Sequence, residues 1–307
     1  MLLSTSRLWP IAGLTALSAA AFGVSGPVLA APRSASSAPS ARNVPSAALV
    51  TCPATVPVAS LPTFVRTDIA LIPDDLTVDP KGDIWVGVEV QGHILDFAPD
   101  GSLRQNLPDA NGPEGIIAVP AATFVAEQTQ SRIDRLAPDG GLTLFLTLPH
   151  RSGSLPVDGL GFDARRNRLL IPNSPQGTLL ATPLNAAAPH LLANHLGRPV
   201  AATVGADGSI YVAAESKVGL ARVPPNGGAA KSVGGLSNLD EVVSVGGLLY
   251  TTGAGDGTVR AVDPRSGDNR ILATGGHMLQ GLTALPDGHL LVVDSATRTI
   301  SVVAPCA

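Results

Sequence analysis

Short apolar runs recur along this chain at a near-constant interval, and each is joined to a second run across a polar turn. The clearest copies are DDLTVDPKGDIWV, PEGIIAVPAATFVA, VDGLGFDARRNRLLI, PVAATVGADGSIYV, LDEVVSVGGLLYTT and LQGLTALPDGHLLVV. Equivalent positions fall at Asp74, Glu114, Asp158, Val200, Asp240 and Gln280, so successive copies start 40, 44, 42, 40 and 40 residues apart. Strand-rich units at a period of about 40–45 residues specify a β-propeller with one four-stranded blade per repeat. The predicted fold class is all-β, a six-bladed propeller.

The units share one order of elements. A nearly continuous apolar run gives the inner strand, buried between neighbouring blades. A tight turn follows (DPKGD, GADGS, PDGH), then a second strand (DIWVGV, SIYVAA, HLLVVD). Third strands are expected near Ile94, Ile133, Leu179, Leu220, Val259 and Ile300, each leading through a hairpin such as APDGS, APDGG or PPNGG to an outer strand. Gly and Asn supply the positive φ that such turns need. The third repeat departs from this, with PLNAAAPH in place of a glycine hairpin. Trp85 and Tyr211 hold equivalent second-strand places, where packing between blades is expected.

Ahead of the repeats the pattern changes. Arg7, the apolar run LWPIAGLTALSAAAFGV and the small residues Val28-Leu29-Ala30 read as an export signal over residues 1–30. Residues 31–51 form a Pro/Ser/Ala-rich lead-in, and residues 52–307 form the propeller. A secreted, periplasmic or extracellular location follows. Later runs fall short of the ~18 apolar residues a spanning helix needs, so no membrane contact is expected after signal cleavage. Cys52 and Cys306 are the two cysteines, one opening the folded region and one next to last. In an exported protein they are a disulfide candidate. The last repeat shows only three strands (GLTAL, HLLVVD, TISVVAP), so the segment after Cys52, TVPVASLPTFV, is expected to supply the fourth and close the ring.

Composition supports a large core: 45% of residues are hydrophobic and 14% charged, with 33 Gly and 27 Pro for turns. Net charge is −4 and no basic stripe is present, so nucleic acid is not an expected partner. A monomer acting on a small molecule at the channel mouth is expected instead. The inner-strand starts cluster at one face of a propeller and the second strands return to it. The ring set is therefore Asp74, Glu114, Asp158, Val200, Asp240 and Gln280, with Asp75 and Glu241 adjacent. The second-strand ends, Val88, Glu127, Asn173, Ala214, Gly253 and Asp294, are expected beside it. At ~8 Å and an effective dielectric near 20, each carboxylate pair costs about 2 kcal/mol before screening. A divalent cation would offset this, and so would raised pKa values. All-oxygen ligation favours Ca²⁺ first, then Mg²⁺ or Mn²⁺. The other reading is a water-filled channel whose carboxylates cap turns and strand starts. Val200 and Ala214 make the fourth blade apolar at the mouth, so a cation is expected away from it.

The segments PEGIIAV, VDGLGFD and LQGLTALPDGHLLVVD resemble the repeat of six-bladed propellers of the NHL, gluconolactonase and strictosidine-synthase-like group, over about residues 55–305. Among enzymes, the pattern resembles the senescence marker protein/gluconolactonase-like proteins. That resemblance implies one divalent cation at the mouth, held by a Glu, an Asn and an Asp. The positions that match are Glu114 (EGI) and Asp158 (DGL), with Asn173 as the amide ligand. Gln280 (QGL) matches as an amide, and Asp240 fills the register without the Gly. The chain has no Asn-Gly-Leu inner-strand start and no Asn-Asp-Gly segment leading to a Gly-Arg pair, both usual in sugar lactonases.

Two functions stand against each other. One is a metal-dependent hydrolase of lactones or related esters, with Glu114, Asp158 and Asn173 on the metal, Asp240 or Glu127 taking the proton, and Asp74, Gln280 and Asp294 lining the substrate site. The other is a non-catalytic secreted binding or scaffold propeller of NHL type. A glycosidase built on a carboxylate pair is a third, weaker reading, since it needs a defined separation of the two groups.

Overall fold

The computed structural model describes residue 49 and residues 51–67, 70–149, 157–185 and 188–307. The export signal and nearly all of the lead-in lie outside these. The repeats form six antiparallel sheets, each running from an inner to an outer strand. Blade 1 comprises Leu76–Val78, Ile84–Val88, His93–Phe97 and Leu103–Pro108, and blade 2 comprises Pro113–Val119, Ala122–Glu127, Arg132–Leu136 and Leu142–Thr147. Blade 3 comprises Gly161–Asp163, Arg168–Asn173, Thr178–Pro183 and His190–Ala193, and blade 4 comprises Pro199–Val204, Ile210–Ala214, Leu220–Val223 and Lys231–Ser232. Blade 5 comprises Leu239–Val245, Leu248–Gly253, Thr258–Val262 and Asn269–Thr274. Blade 6 takes three strands from the last repeat, Leu279–Ala284, Leu290–Asp294 and Thr299–Val303, and its outer strand, Thr63–Arg66, from the start of the domain.

Alternation within the strands explains the ring. Because both sheet faces are covered by neighbouring blades, both alternate sets of residues are apolar. Apolar clusters accordingly fill each junction: Ile94, Ile116 and Val125 between blades 1 and 2, Phe124, Leu160 and Ile171 between 2 and 3, and Leu170, Ala202 and Val212 between 3 and 4. Val200, Tyr211 and Leu249 join blades 4 and 5, Tyr250, Leu279 and Val292 join 5 and 6, and Val293, Leu76 and Val86 join 6 and 1. Trp85 and Tyr211 sit in the 1–2 and 4–5 clusters, as their shared place in the repeat predicts.

The inner strands approach closely where they converge. A Cβ at Gly115 would collide with the Asp158 carbonyl, and one at Gly159 would lie 2.6 Å from the Val200 carbonyl. Small residues therefore sit directly after the ring positions in these two repeats. Where the first repeat has Asp75 instead, the carboxylate accepts the Ile116 N–H of the next blade at 3.2 Å and so ties two inner strands together.

The ends of the domain are fastened twice. Cys52 and Cys306 form the expected disulfide. TVPVASLPTFV divides its work: Val56–Pro57 adds to blade 5 as a parallel fifth strand, and Thr63–Arg66 completes blade 6. Among the described residues no helix is long and apolar enough to cross a membrane.

Candidate functional site

The inner-strand starts carry their acids to one mouth, as the repeat register predicts. Asp74, Glu114, Asp158 and Asp240 act on one another electrostatically, and Gln280 donates from Nε2 to Asp74 Oδ1 at 3.2 Å. Asp75 and Glu241 join them one residue further along. Both are pinned by backbone donors: Asp75 Oδ1 accepts the Leu76 N–H at 2.7 Å and Glu241 Oε1 the Val242 N–H at 2.7 Å. These two carboxylates serve the strands first, because their oxygens are engaged by the main chain.

The second-strand ends behave differently. Asp294 accepts the N–H groups of His277 and Met278 at 3.1 and 3.2 Å, holding the linker into blade 6. Glu127 is fully buried, and the charges it feels are those of Asp109, Asp134 and Arg132, not those of the mouth. Asn173 is buried with Nδ2 unpartnered, and neither Glu114 nor Asp158 hydrogen-bonds to it. It shares a strand face with Leu169 and Ile171, which pack against blade 2. Glu127, Asn173 and Asp294 are thus not brought into the acidic cluster.

One residue later in each repeat, the side chain turns the other way, as strand alternation requires. Glu89 follows Val88 and joins Asp74 and Glu114. Gln128 follows Glu127 and hydrogen-bonds to Glu114 through its Nε2. Ser174 and Ser295 hold the carbonyls of Pro199 and Pro73, each at 2.6 Å. Glu215 follows Ala214 and pairs with Arg198. Arg198 also donates to Asp158 Oδ2 at 2.6 Å. The fourth blade is therefore not apolar at the mouth: Val200 and Ala214 are flanked by a cation and an anion that the ring positions alone did not reveal. The usable sequence signal for Glu89 and Glu215 was the residue after each second-strand end.

The electrostatics follow from crowding and burial together. Burial, with Asp158, Asp75 and Glu89 nearby, pushes Asp74 up to about 7, against the Gln280 hydrogen bond. Burial likewise pushes Asp75 up to about 7, opposed by its two backbone donors. Asp158 rises only to about 6, because Arg198 opposes the burial. Glu114, Asp240 and Glu241 are raised well above their ordinary values, by burial first and by neighbouring acids second.

The donor set can hold a cation. One oxygen from each of Asp74, Glu89 and Glu114 lies within 4.8 Å of the others. These are hard oxygen donors with no thiolate, the chemistry of Ca²⁺ or Mg²⁺. Gln280 and Gln128 buttress two of them from behind, as outer partners of metal ligands do. The cluster belongs to blades 1 and 2, and Asp158, beside Glu114, connects it to Arg198. Asp158 itself shares the Arg198 guanidinium with Glu215.

Neither a family model nor a curated protein matches the chain. Solved structures share its fold. A gluconolactonase from Xanthomonas campestris aligns with a TM-score of 0.66 at 14% identity, over 84% of this chain and 98% of its own. Virginiamycin B lyase from Staphylococcus aureus, in a catalytically inactive form with quinupristin, aligns with a TM-score of 0.61 at 16% identity, over 77% and 82%. A chain of a nidogen/laminin complex aligns with a TM-score of 0.61 at 20% identity, over 70% and 85%. At such identities the likeness establishes the six-bladed propeller and leaves the chemistry to be argued from the site.

Proposed function

We propose that the mouth binds one divalent cation through Asp74, Glu89 and Glu114, and that the protein is a metal-dependent hydrolase of lactones or related esters. The observation that carries this reading is the convergence of those three carboxylates within 4.8 Å, inside a larger group of buried acids. The fold-level likeness to a gluconolactonase supports the substrate class. When bound, the cation would supply Lewis-acid polarisation of the ester carbonyl and a water of lowered pKa. Asp240 lies outside the triad with its pKa raised by burial and by Asp158, a shift in the direction a proton-accepting group needs. Gln280 orients Asp74. Arg198 favours the ionised form of Asp158, which lies beside Glu114 of the triad. Export, expected from residues 1–30, agrees with the disulfide.

Elemental analysis of the purified protein, followed by assays on a lactone and an aryl ester before and after chelation, tests this. One bound Ca²⁺ or related ion is expected, with activity lost on chelation and restored by the ion. Glu114→Gln should weaken cation affinity by at least the ~10–100-fold that loss of an outer partner costs. Because protons compete for Asp74, raised to about 7, affinity should fall as pH drops below 7. Chelated protein that hydrolyses both substrates at the original rate would overturn the reading. The alternative, a non-catalytic binding propeller, draws on the likeness to a chain of a nidogen/laminin complex. It predicts an inert protein whether or not the ion is bound.

A further inference from the structure

The face of the ring opposite the mouth holds a cavity of about 570 Å³ between blades 1 and 2, formed where their inner-to-second-strand turns meet. Two buried polar groups at this cavity have no answer within the protein. Trp85 and Asp96 are cross-strand partners in blade 1, so both side chains face blade 2. Trp85 is 7% exposed and Asp96 3%, and both line the cavity. The Trp85 Nε1–H and Asp96 Oδ1 have no hydrogen-bond partner. Asp96 Oδ2 receives only a long bond from Gln105, at 3.4 Å.

The two arginines that line the cavity hold other partners, and Lys81 lines it from the exposed turn. Arg104 donates to Asp83 at 2.5 Å. Arg135 stacks over Phe124 and Phe145 and donates to the Leu184 carbonyl at 3.0 Å. A buried donor or acceptor left unpaired costs about 1–3 kcal/mol, more when charged. In the fourth repeat the equivalent groups find their partners within the protein. There Tyr211 replaces Trp85 and its cross-strand partner is Arg222. Tyr211 Oη donates to Asp207 at 3.1 Å, while Arg222 donates to Asp207 at 2.7 Å and to Ser209 at 2.9 Å. The first repeat keeps an aromatic ring, exchanges Arg for Asp on the opposing strand, and carries an exposed Lys81 where the fourth has Asp207.

We infer that this cavity binds a neutral polyhydroxylated ligand, a sugar or a polyol. The group that fits must accept from the Trp85 N–H and donate to the Asp96 carboxylate. A hydroxyl does both. An ammonium or guanidinium supplies donors only and leaves the indole unpaired. An acceptor-only anion could take the indole N–H but would leave Asp96 without a donor. Val119, Pro120 and Pro138 add apolar lining that suits the C–H face of a sugar ring. The volume falls in the ~300–1,000 Å³ range of small-molecule sites. The inference does not depend on the chemistry of the mouth.

The test uses the full chain, which contains two tryptophans, Trp9 and Trp85. Indole emission is followed while glucose, galactose, xylose and sorbitol are titrated through the ~1–100 mM range in which single small ligands with few polar contacts bind. The same titrations are repeated by calorimetry. At least one probe should give a saturable emission change that is absent from Trp85→Phe. Asp96→Asn should weaken binding at least tenfold, and Glu114→Gln at the mouth should leave it unchanged. If Asp96→Asn fails to fold, Ala121→Phe, on the exposed wall of the cavity, should abolish the calorimetric signal without touching the buried pair. The inference is overturned if none of the four probes saturates, if Asp96→Asn or Ala121→Phe binds as well as the parent protein, or if methylammonium and methylguanidinium bind and the sugars do not.

Discussion

Glu127 shows how much a single position in a strand decides. Its side chain is fully buried, its carboxyl is hydrogen-bonded to Asp109, and its neighbours Asp109 and Asp134 are themselves acidic. Burial first, and Asp109 next, push its pKa to about 9 from an ordinary 4.5. The folded protein therefore holds a proton here that the unfolded chain releases above about 4.5. Stability from this group is complete below pH 4.5 and declines as pH rises toward 9. Glu127→Gln removes that decline. The variant should match the parent protein near pH 4.5 and melt progressively higher than it toward pH 9, read from thermal melts at pH 5, 7 and 9. A variant that loses most ground at pH 9 contradicts the account. The same alternation separates the legible part of the mouth from the rest. Glu114, Asp158, Asp240 and Asp74 were legible because they recur at one register. Glu89, Gln128 and Glu215 were not, because the expected second set lay one residue too early and so on the opposite strand face. Arg198 was hidden for another reason: it precedes its inner strand, at a place where the other repeats carry no shared residue type.

At the scale of the element, the turn between second and third strands is the most regular device in the ring. In every blade a residue in the left-handed region ends it: Gly92, Ser131, Gly177, Gly219, Gly257 and Arg298. Four are glycines, and the other two are read from sequence only with difficulty, since Arg and Ser carry no such preference. Arg298 has φ 57 and its Nε is buried without a partner, so its side chain contributes little to offset the backbone cost. For a non-glycine residue that cost is about 1–2 kcal/mol, against ~0.5–1 kcal/mol of added chain entropy for glycine. Arg298→Gly should therefore stabilise the protein by up to about 1 kcal/mol, seen as a higher melting temperature. A lower one would show that the arginine makes a contact worth more than the strain. The Pro-Asp-Gly hairpins, in contrast, were plain in the sequence, because their geometry demands those residues.

At the scale of the molecule, ring closure is the feature on which the rest depends, because each blade buries its faces only against its neighbours. The repeat count and the positions of Cys52 and Cys306 made closure legible, although the parallel Val56–Pro57 strand was not, being two residues long. Two fastenings now share the task. Thr63–Arg66 pairs with the last strand of blade 6, and the disulfide ties the outer chain ends beside the blade 5–6 cluster that contains Leu49, Val58 and Tyr250. Tyr250 Oη also accepts the Cys306 N–H at 3.0 Å, so the C-terminal segment keeps a non-covalent hold. For cysteines 254 residues apart, chain entropy sets an upper contribution near ~5.5 kcal/mol. Because Thr63–Arg66 closes the ring without the disulfide, the Cys52→Ala/Cys306→Ala protein should still fold. It should nevertheless melt lower, and its hydrogen exchange should rise first at residues 63–66 and 299–303. Unchanged melting would place the whole burden of closure on the strand pairing. A protein that no longer folds at all would show that Thr63–Arg66 cannot hold the sixth blade alone, and that the covalent tie is what completes the ring.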